Sequence, residues 1–188
     1  MKKKVPLKRL PGEEGVWGFV FGDMLLFAMF FVTFLFYRYE NGALFAQSQT
    51  LLNQNYGAIN TLLLLTSSWF VALGVSQYGK GKTKTSARLL IPAFICGVGF
   101  VVIKFFEFGE KFAAGITLNS NEFFILYYMF TGIHLVHVLV GLGVLFFLWR
   151  VARRATDGSA TQTLESGGIF WHMVDLLWIV LFPLIYLV

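Results

Sequence analysis

The sequence predicts an all-α fold, a polytopic integral membrane bundle of five transmembrane helices. Three observations carry that expectation. Hydrophobic residues make up 57% of the chain and charged residues 13%, with 22 Phe among 188 residues, which lies outside the range of soluble globular domains. Five apolar runs each reach about 20 residues or more, the length a helix needs to cross roughly 30 Å of hydrocarbon. Basic residues collect in alternate links between those runs. The only cysteine, Cys96, lies inside an apolar run, so no internal disulfide can form.

Residues 1–15 read as a cytoplasmic basic arm, carrying Lys2, Lys3, Lys4, Lys8 and Arg9, and residues 16–188 as a single five-helix domain. The first span, about Val16 to Tyr37, lacks the short apolar core and small-residue cleavage site of a signal peptide and is expected to stay as an anchor. A polar link over 41–56 leads to the second span, about Gly57 to Tyr78. A basic loop with Lys80, Lys82, Lys84 and Arg88 leads to the third, about Leu89 to Phe112. A short link with Gly115, Asn119 and Asn121 precedes the fourth, Phe123 to Trp149. After Arg150, Arg153 and Arg154 comes a Gly/Ser/Thr-rich loop, and the fifth span runs from about Gly168 to Val188. No repeat, phosphate-cradling Gly loop or basic patch with stacking aromatics is visible, so no nucleic-acid partner is expected.

Polar residues within the spans are informative because hydrocarbon penalises each one that lacks a partner. The fourth span carries Thr131-Gly132-Ile133-His134-Leu135-Val136-His137, whose two histidines share a helix face with Thr131, and Gly141 lies one turn below His137. A rise of about 1.5 Å per residue places Glu107 and His134 in the outer half, and Asp23, His137, His172 and Asp175 in the inner half. Two clusters follow. In the outer one, Lys104, Glu107, Glu110 and Lys111 share a face of the third span. They form either an intrahelical ion-pair ladder with Lys104 snorkelling outward or, for Glu107, a hydrogen bond to His134 on the next span. In the inner one, His172 and Asp175 share a face at i and i+3. With Asp23 and His137 they could close a hydrogen-bond network or serve only to fix helix register. A metal site is the further alternative, but the histidines pair with each other, unlike the Glu and His pairs of di-iron bundles. No metal ligand set and no nucleophile are assigned.

The run 131–138 with Gly141 resembles the Thr-Gly-Phe-His-Gly-Leu-His-Val segment of subunit III of the haem-copper oxidases. Trp171-His172-Met173-Val174-Asp175, with Trp178 and Tyr186, resembles that family's Trp-His-Phe-Val-Asp ending, and Glu107 falls where the family carries its intramembrane glutamate. Five helices are similar to the bacterial short forms. Pro11-Gly12-Glu13-Glu14-Gly15-Val16-Trp17, followed by Gly22-Asp23-Met24, looks most like the NorE-type branch associated with nitric oxide reductase, with the quinol oxidase subunit III next. Lys104 departs from the pattern by adding a cation beside the glutamate.

The resemblance implies a non-catalytic accessory subunit, inactive alone, that packs against the catalytic subunit of a haem-copper oxidase or nitric oxide reductase. Such a subunit holds phospholipid and sustains turnover in aerobic electron transport or denitrification. Haem, with copper or iron, would then belong to the partner and none to this chain. The competing expectation is a free-standing membrane enzyme or proton pathway using Glu107 and His134.

Charge sets the orientation. Twelve of the fifteen basic residues lie in the arm, the 79–88 loop and the 150–166 loop, which alternate onto one side, whereas the 39–56 link has none. The positive-inside rule puts the N-terminus in the cytoplasm of a bacterial inner membrane and the C-terminus in the periplasm or outside. A reporter fused after Val188 is therefore expected to signal the outside and one inserted at 79–88 the cytoplasm. The reverse pattern would overturn the orientation.

Overall fold

The computed structural model describes residues 10–154 and 159–187. The basic arm over 1–9, residues 155–158 of the Gly/Ser/Thr-rich loop, and Val188 lie outside the described residues. Six helices and no strands occur among the described residues: α1 (Glu14–Glu40), α2 (Gly42–Gln49), α3 (Gln54–Gly79), α4 (Thr83–Ala113), α5 (Glu122–Arg154) and α6 (Thr161–Tyr186). Five of them are long and apolar enough to cross a membrane.

The helices outrun the apolar spans at both ends. Lys84 and Arg88, expected in a loop, lie in the opening turns of α4, and α6 begins at Thr161 rather than near Gly168. Lys and Arg are good helix formers whose heads reach water while the backbone bonds continue, so polarity ends the span without ending the helix. The 41–56 link, read as a polar connection, contains α2. Its Phe45 is fully buried, meeting Phe34 of α1 at 5.3 Å and Phe123 of α5 at 5.5 Å between ring centroids. That burial gives the short helix the tertiary support it could not supply alone.

Turn chemistry sets the connections. Gly81, at φ 75°, takes the left-handed conformation that lets Lys82 N return to Gln77 O at 3.0 Å and reverse the chain between α3 and α4. Asn121 caps α5, its Oδ1 accepting from Phe124 N at 3.0 Å, while its amide donates to Ser48 Oγ of α2 at 3.0 Å.

Helices α3, α4, α5 and α6 pack in a closed ring, each against two neighbours, and α1 lies outside it against α6 and α5. On α1 only Val20, Phe27 and Phe34 are buried, one every second turn, so a narrow seam faces the ring. Phe19, Phe21, Leu25, Met29, Val32 and Phe36 are exposed. In lipid such a surface costs nothing, because the surrounding chains are as apolar as the side chains.

The ring closes around Trp171 of α6, which is fully buried. A Cβ at Gly141 of α5 would stand 2.7 Å from the Trp171 ring, and one at Gly97 of α4 would stand 2.9 Å from it. Only hydrogen fits at either position, so the two glycines form a notch that seats the indole across three helices. The two histidines of α5 share the broad face expected of them but diverge: His134 is buried inside the ring, while His137 turns toward α1.

The notch makes the two nearby glycines of α5 unequal. Gly141→Ala is expected to lose about 1–3 kcal/mol by overpacking. Gly143→Ala, whose Cβ meets nothing within 4 Å, should be neutral or slightly stabilising, as expected for Gly to Ala in a helix. Reversible unfolding in detergent micelles measures both, and equal effects would remove the notch as a constraint.

Candidate functional site

The end of the bundle away from the basic links holds a closed polar cluster. Lys104 and Glu107 of α4, one turn apart, are both fully buried. Lys104 Nζ donates to Glu107 Oε2 at 2.9 Å and to the Tyr186 hydroxyl at 2.7 Å, and that hydroxyl donates to Glu107 Oε1 at 2.6 Å. Each carboxylate oxygen and the phenol are thus satisfied within a three-membered ring. Aromatic faces enclose the ammonium: Trp178 at 4.8 Å from Nζ to centroid, Tyr186 at 5.3, Tyr127 at 5.5 and Phe108 at 5.6 Å.

Local structure places Tyr186 at the tip of α6. The last carbonyls of a helix have no partner within it. Here Ile185 O accepts from Gln49 Nε2 of α2 and Tyr186 O from Gln54 Nε2 of α3, both at 3.0 Å. The polar link therefore fixes the height at which the phenol meets Glu107.

This geometry corrects the expected outer cluster. Lys104 does not snorkel outward but turns into the ring, and Glu107 does not bond His134. Glu107 lies six residues from the end of α4 and His134 twelve from the start of α5, depths of roughly 9 and 18 Å. His134 instead sits level with Phe100, at 5.7 Å, and against Trp178, at 5.3 Å between centroids. Neither of its ring nitrogens has a polar partner. Trp178, its Nε1 donating to Thr61 Oγ1 at 3.0 Å, is the partition between the histidine and Lys104. Glu110 faces outward and accepts from the Tyr56 hydroxyl at 2.7 Å, while Lys111 donates to Leu51 O. The expected ladder thus keeps only its Lys104 and Glu107 rungs.

The inner cluster divides in two. His137 Nδ1 faces Ile133 O at 2.9 Å and Nε2 faces Asp23 Oδ1 of α1 at 3.1 Å. A carbonyl only accepts, so Nδ1 carries a proton. The imidazole thus joins α5 to α1 through Asp23. Across the ring, His172 Nδ1 lies 2.5 Å from Ser68 Oγ of α3, with Asp175 beside the same hydroxyl. No hydrogen bond joins the two sets among the described residues, so the four-residue network does not close. Each residue turns a helix by about 100°, so with Trp171 in the notch toward α4 and α5, His172 is carried round to α3. The described His, Cys, Asp and Glu side chains form no group of three able to hold a metal ion.

Tyr127, Trp178 and Tyr186 were given no part in the expected clusters, yet they form most of the lysine cage. The signal available was depth: Tyr127 and Glu107 stand five and six residues from the ends joined by one link.

The family model described as Cytochrome c oxidase subunit III matches residues 12–188. The chain is similar to the cytochrome bo(3) ubiquinol oxidase subunit 3 of Buchnera aphidicola subsp. Schizaphis graminum, 25% identical over 92% of this chain and 92% of that one. It is 29% identical to the probable cytochrome c oxidase subunit 3 of Mycobacterium tuberculosis, over 88% of this chain and 82% of the relative. It also aligns, at 26% identity over 94% of its length, with the haem-copper oxidase subunit I+III of Aeropyrum pernix, of which it spans 22%.

The cluster predicts strong coupling in one pair and none in another. Lys104→Met and Glu107→Leu should each destabilise the purified protein by about 3–5 kcal/mol, since each strands a buried charge, while the double substitution should cost far less. Glu107→Leu combined with His134→Phe should be additive. Denaturant unfolding in micelles gives both cycles, and additivity of the first would show that Lys104 and Glu107 do not interact.

Proposed function

We propose, since the chain belongs to the cytochrome c oxidase subunit III family, that it is a non-catalytic accessory subunit of a bacterial respiratory haem-copper oxidase. The observation that carries this is the extent of the match: residues 12–188 take in all six helices, not one motif. The polar side chains inside the bundle support it. Lys104 and Glu107 engage Tyr186 of α6, Asp23 engages His137 and Ser68 engages His172, each across helices, an arrangement suited to holding a shape rather than turning over a substrate. Haem and its metal partners are supplied by the catalytic subunit, and phospholipid fills the seam between the two proteins. The apolar exterior, with exposed Phe on α1 and α4, is the surface that meets both.

Within the family, the segment Pro11 to Trp17 and Gly22-Asp23-Met24 draw the chain toward the NorE-type branch, with a nitric oxide reductase as partner. These residues have structural work in the chain: Gly12 N donates to Glu165 Oε2 at 2.9 Å, Trp17 Nε1 to Pro11 O at 3.0 Å, and Asp23 pairs with His137. We read residues 16–188 as one domain in the bacterial inner membrane, N-terminus cytoplasmic. A free-standing enzyme or proton path through Glu107 and His134 loses its basis, because those side chains do not meet.

Deleting the chain is expected to leave the partner's haem spectrum unchanged while lowering sustained activity or the yield of complex. Spectroscopy and multiple-turnover assays on native membranes measure this. Loss of the partner's metal centres would instead mark an assembly factor, and an unaltered complex would end the subunit reading.

A further inference from the structure

The three histidines of the chain differ in where their ring nitrogens end. Both nitrogens of His137 face oxygens, Ile133 O and Asp23 Oδ1, and both of His134 are buried among the rings of Phe100 and Trp178. His172 is only partly buried. Its Nδ1 meets Ser68 Oγ at 2.5 Å, whereas Nε2 bonds no described residue and is open at the surface of the bundle where α6 meets α3. Asp175, itself buried beside the same hydroxyl, leaves Oδ1 without a partner among the described residues.

Depth makes that open nitrogen costly. His172 stands eleven residues from the start of α6 and fourteen from its end, and Ser68 of α3 the reverse, so both lie roughly 17 and 21 Å from the two ends of their helices, close to the midplane. Acyl chains have nothing to offer an imidazole nitrogen there, and lipid headgroups lie about 15 Å away. Trp69 of α3 adds a second polar group at similar depth. It is 60% exposed and its indole N–H bonds no described residue, although indoles in membranes favour the interface with water. Around these groups runs an apolar rim. Leu65 and Ala72 lie one turn either side of Ser68, and Leu176 and Ile179 follow His172 at helical spacing, all exposed. The exposed side chains of Phe21, Leu25, Met29 and Val32 on α1 carry no polar group and make no such demand.

We infer that the α3 and α6 face around His172 is where the catalytic subunit docks, through a transmembrane helix that brings a hydroxyl or amide side chain to His172 Nε2 at mid-depth. The inference rests on the accessory-subunit reading and adds to it the face and the chemistry of the contact. A polar centre within an apolar rim is the form that contacts between membrane helices take, because hydrocarbon leaves the polar groups no other partner. Ser68 holds the imidazole by Nδ1, which fixes the ring and presents Nε2 outward.

The test uses the full chain in native membranes, with photoreactive benzoylphenylalanine placed at Leu65 or Leu176 on the rim, or at Val32 of α1 or Phe105 of α4 elsewhere. Adducts formed on illumination are identified by their peptides. Leu65 and Leu176 should give most of the adducts with a transmembrane segment of the haem-bearing subunit. Equal yields from all four positions, or adducts from Val32 or Phe105 alone, overturn the inference and leave the subunit reading standing; rim adducts with a second copy of this chain also overturn it. No adduct with a haem-bearing protein from any position removes both. A second measurement follows co-purification of that subunit through detergent washes. The amide nitrogen of Gln can stand where Nε2 does and that of Asn where Nδ1 does. His172→Phe and His172→Asn should therefore weaken retention roughly three- to tenfold, as loss of one hydrogen bond between membrane helices implies, while His172→Gln should keep it. Equal retention by the three variants overturns the inference. If His172→Phe does not fold, the cross-linking variants, which keep His172, decide.

Discussion

A lysine and a glutamate one turn apart on a membrane helix can be carried through hydrocarbon only if neither is left alone with its charge. Breaking such a pair costs about 3–5 kcal/mol, a large share of a typical total stability. The chain meets this demand with partners from three directions. Tyr186 bridges the pair from the tip of α6, the rings of Tyr127 and Trp178 exclude solvent, and Gln49 and Gln54 hold the tip of α6 at the right height. The relative level of α4, α5 and α6 follows from this one cluster. Helix α2 takes part through its terminal glutamine, which supplies one of the two anchoring bonds.

What the sequence discloses of this arrangement follows from what periodicity and polarity can encode. Five spans, their order and the charged and histidine residues buried within them are legible, because each stands out against an apolar run, whereas Asn60 and Ser86, fully buried in α3 and α4, do not. Depth is legible only to within a turn or two: Glu107 and His134, placed together in the outer half, differ by six residues in their distance from the link between α4 and α5. Rotation is not, since it depends on which neighbour each face meets. Whether His172 looks at Asp23 or at Ser68 is decided by Trp171, and Trp171 is placed by two glycines on other helices. Helix α2 escapes for a related reason. Its sequence is short and mixed, and it is helical because Phe45 fills a gap between α1 and α5.

The polar pairs differ in what they can do. The Lys104 cluster is saturated, with both carboxylate oxygens and the phenol engaged, and such a set defines a unique packing. The Asp23 and His137 pair is not saturated: among the described residues Asp23 Oδ2 has no partner. His134 is different again, a histidine whose ring packs against Phe100 and Trp178 and whose nitrogens meet no polar group among the described residues.

The position of α1 outside the ring bears on how the chain is made. It is the earliest of the long helices to be synthesised, yet the helices it packs against, α5 and α6, are the last. Asp23 and His137 are 114 residues apart, which at ordinary ribosomal speeds is a wait of roughly 6 to 23 s. During that interval Asp23 sits in or beside the bilayer with no histidine to meet it. The ring of four is closed without α1, which meets it only through the narrow seam of Val20, Phe27 and Phe34. A chain halted before α5 would leave an acidic residue stranded on a lone anchor, a mark by which membrane proteases can recognise an unfinished product.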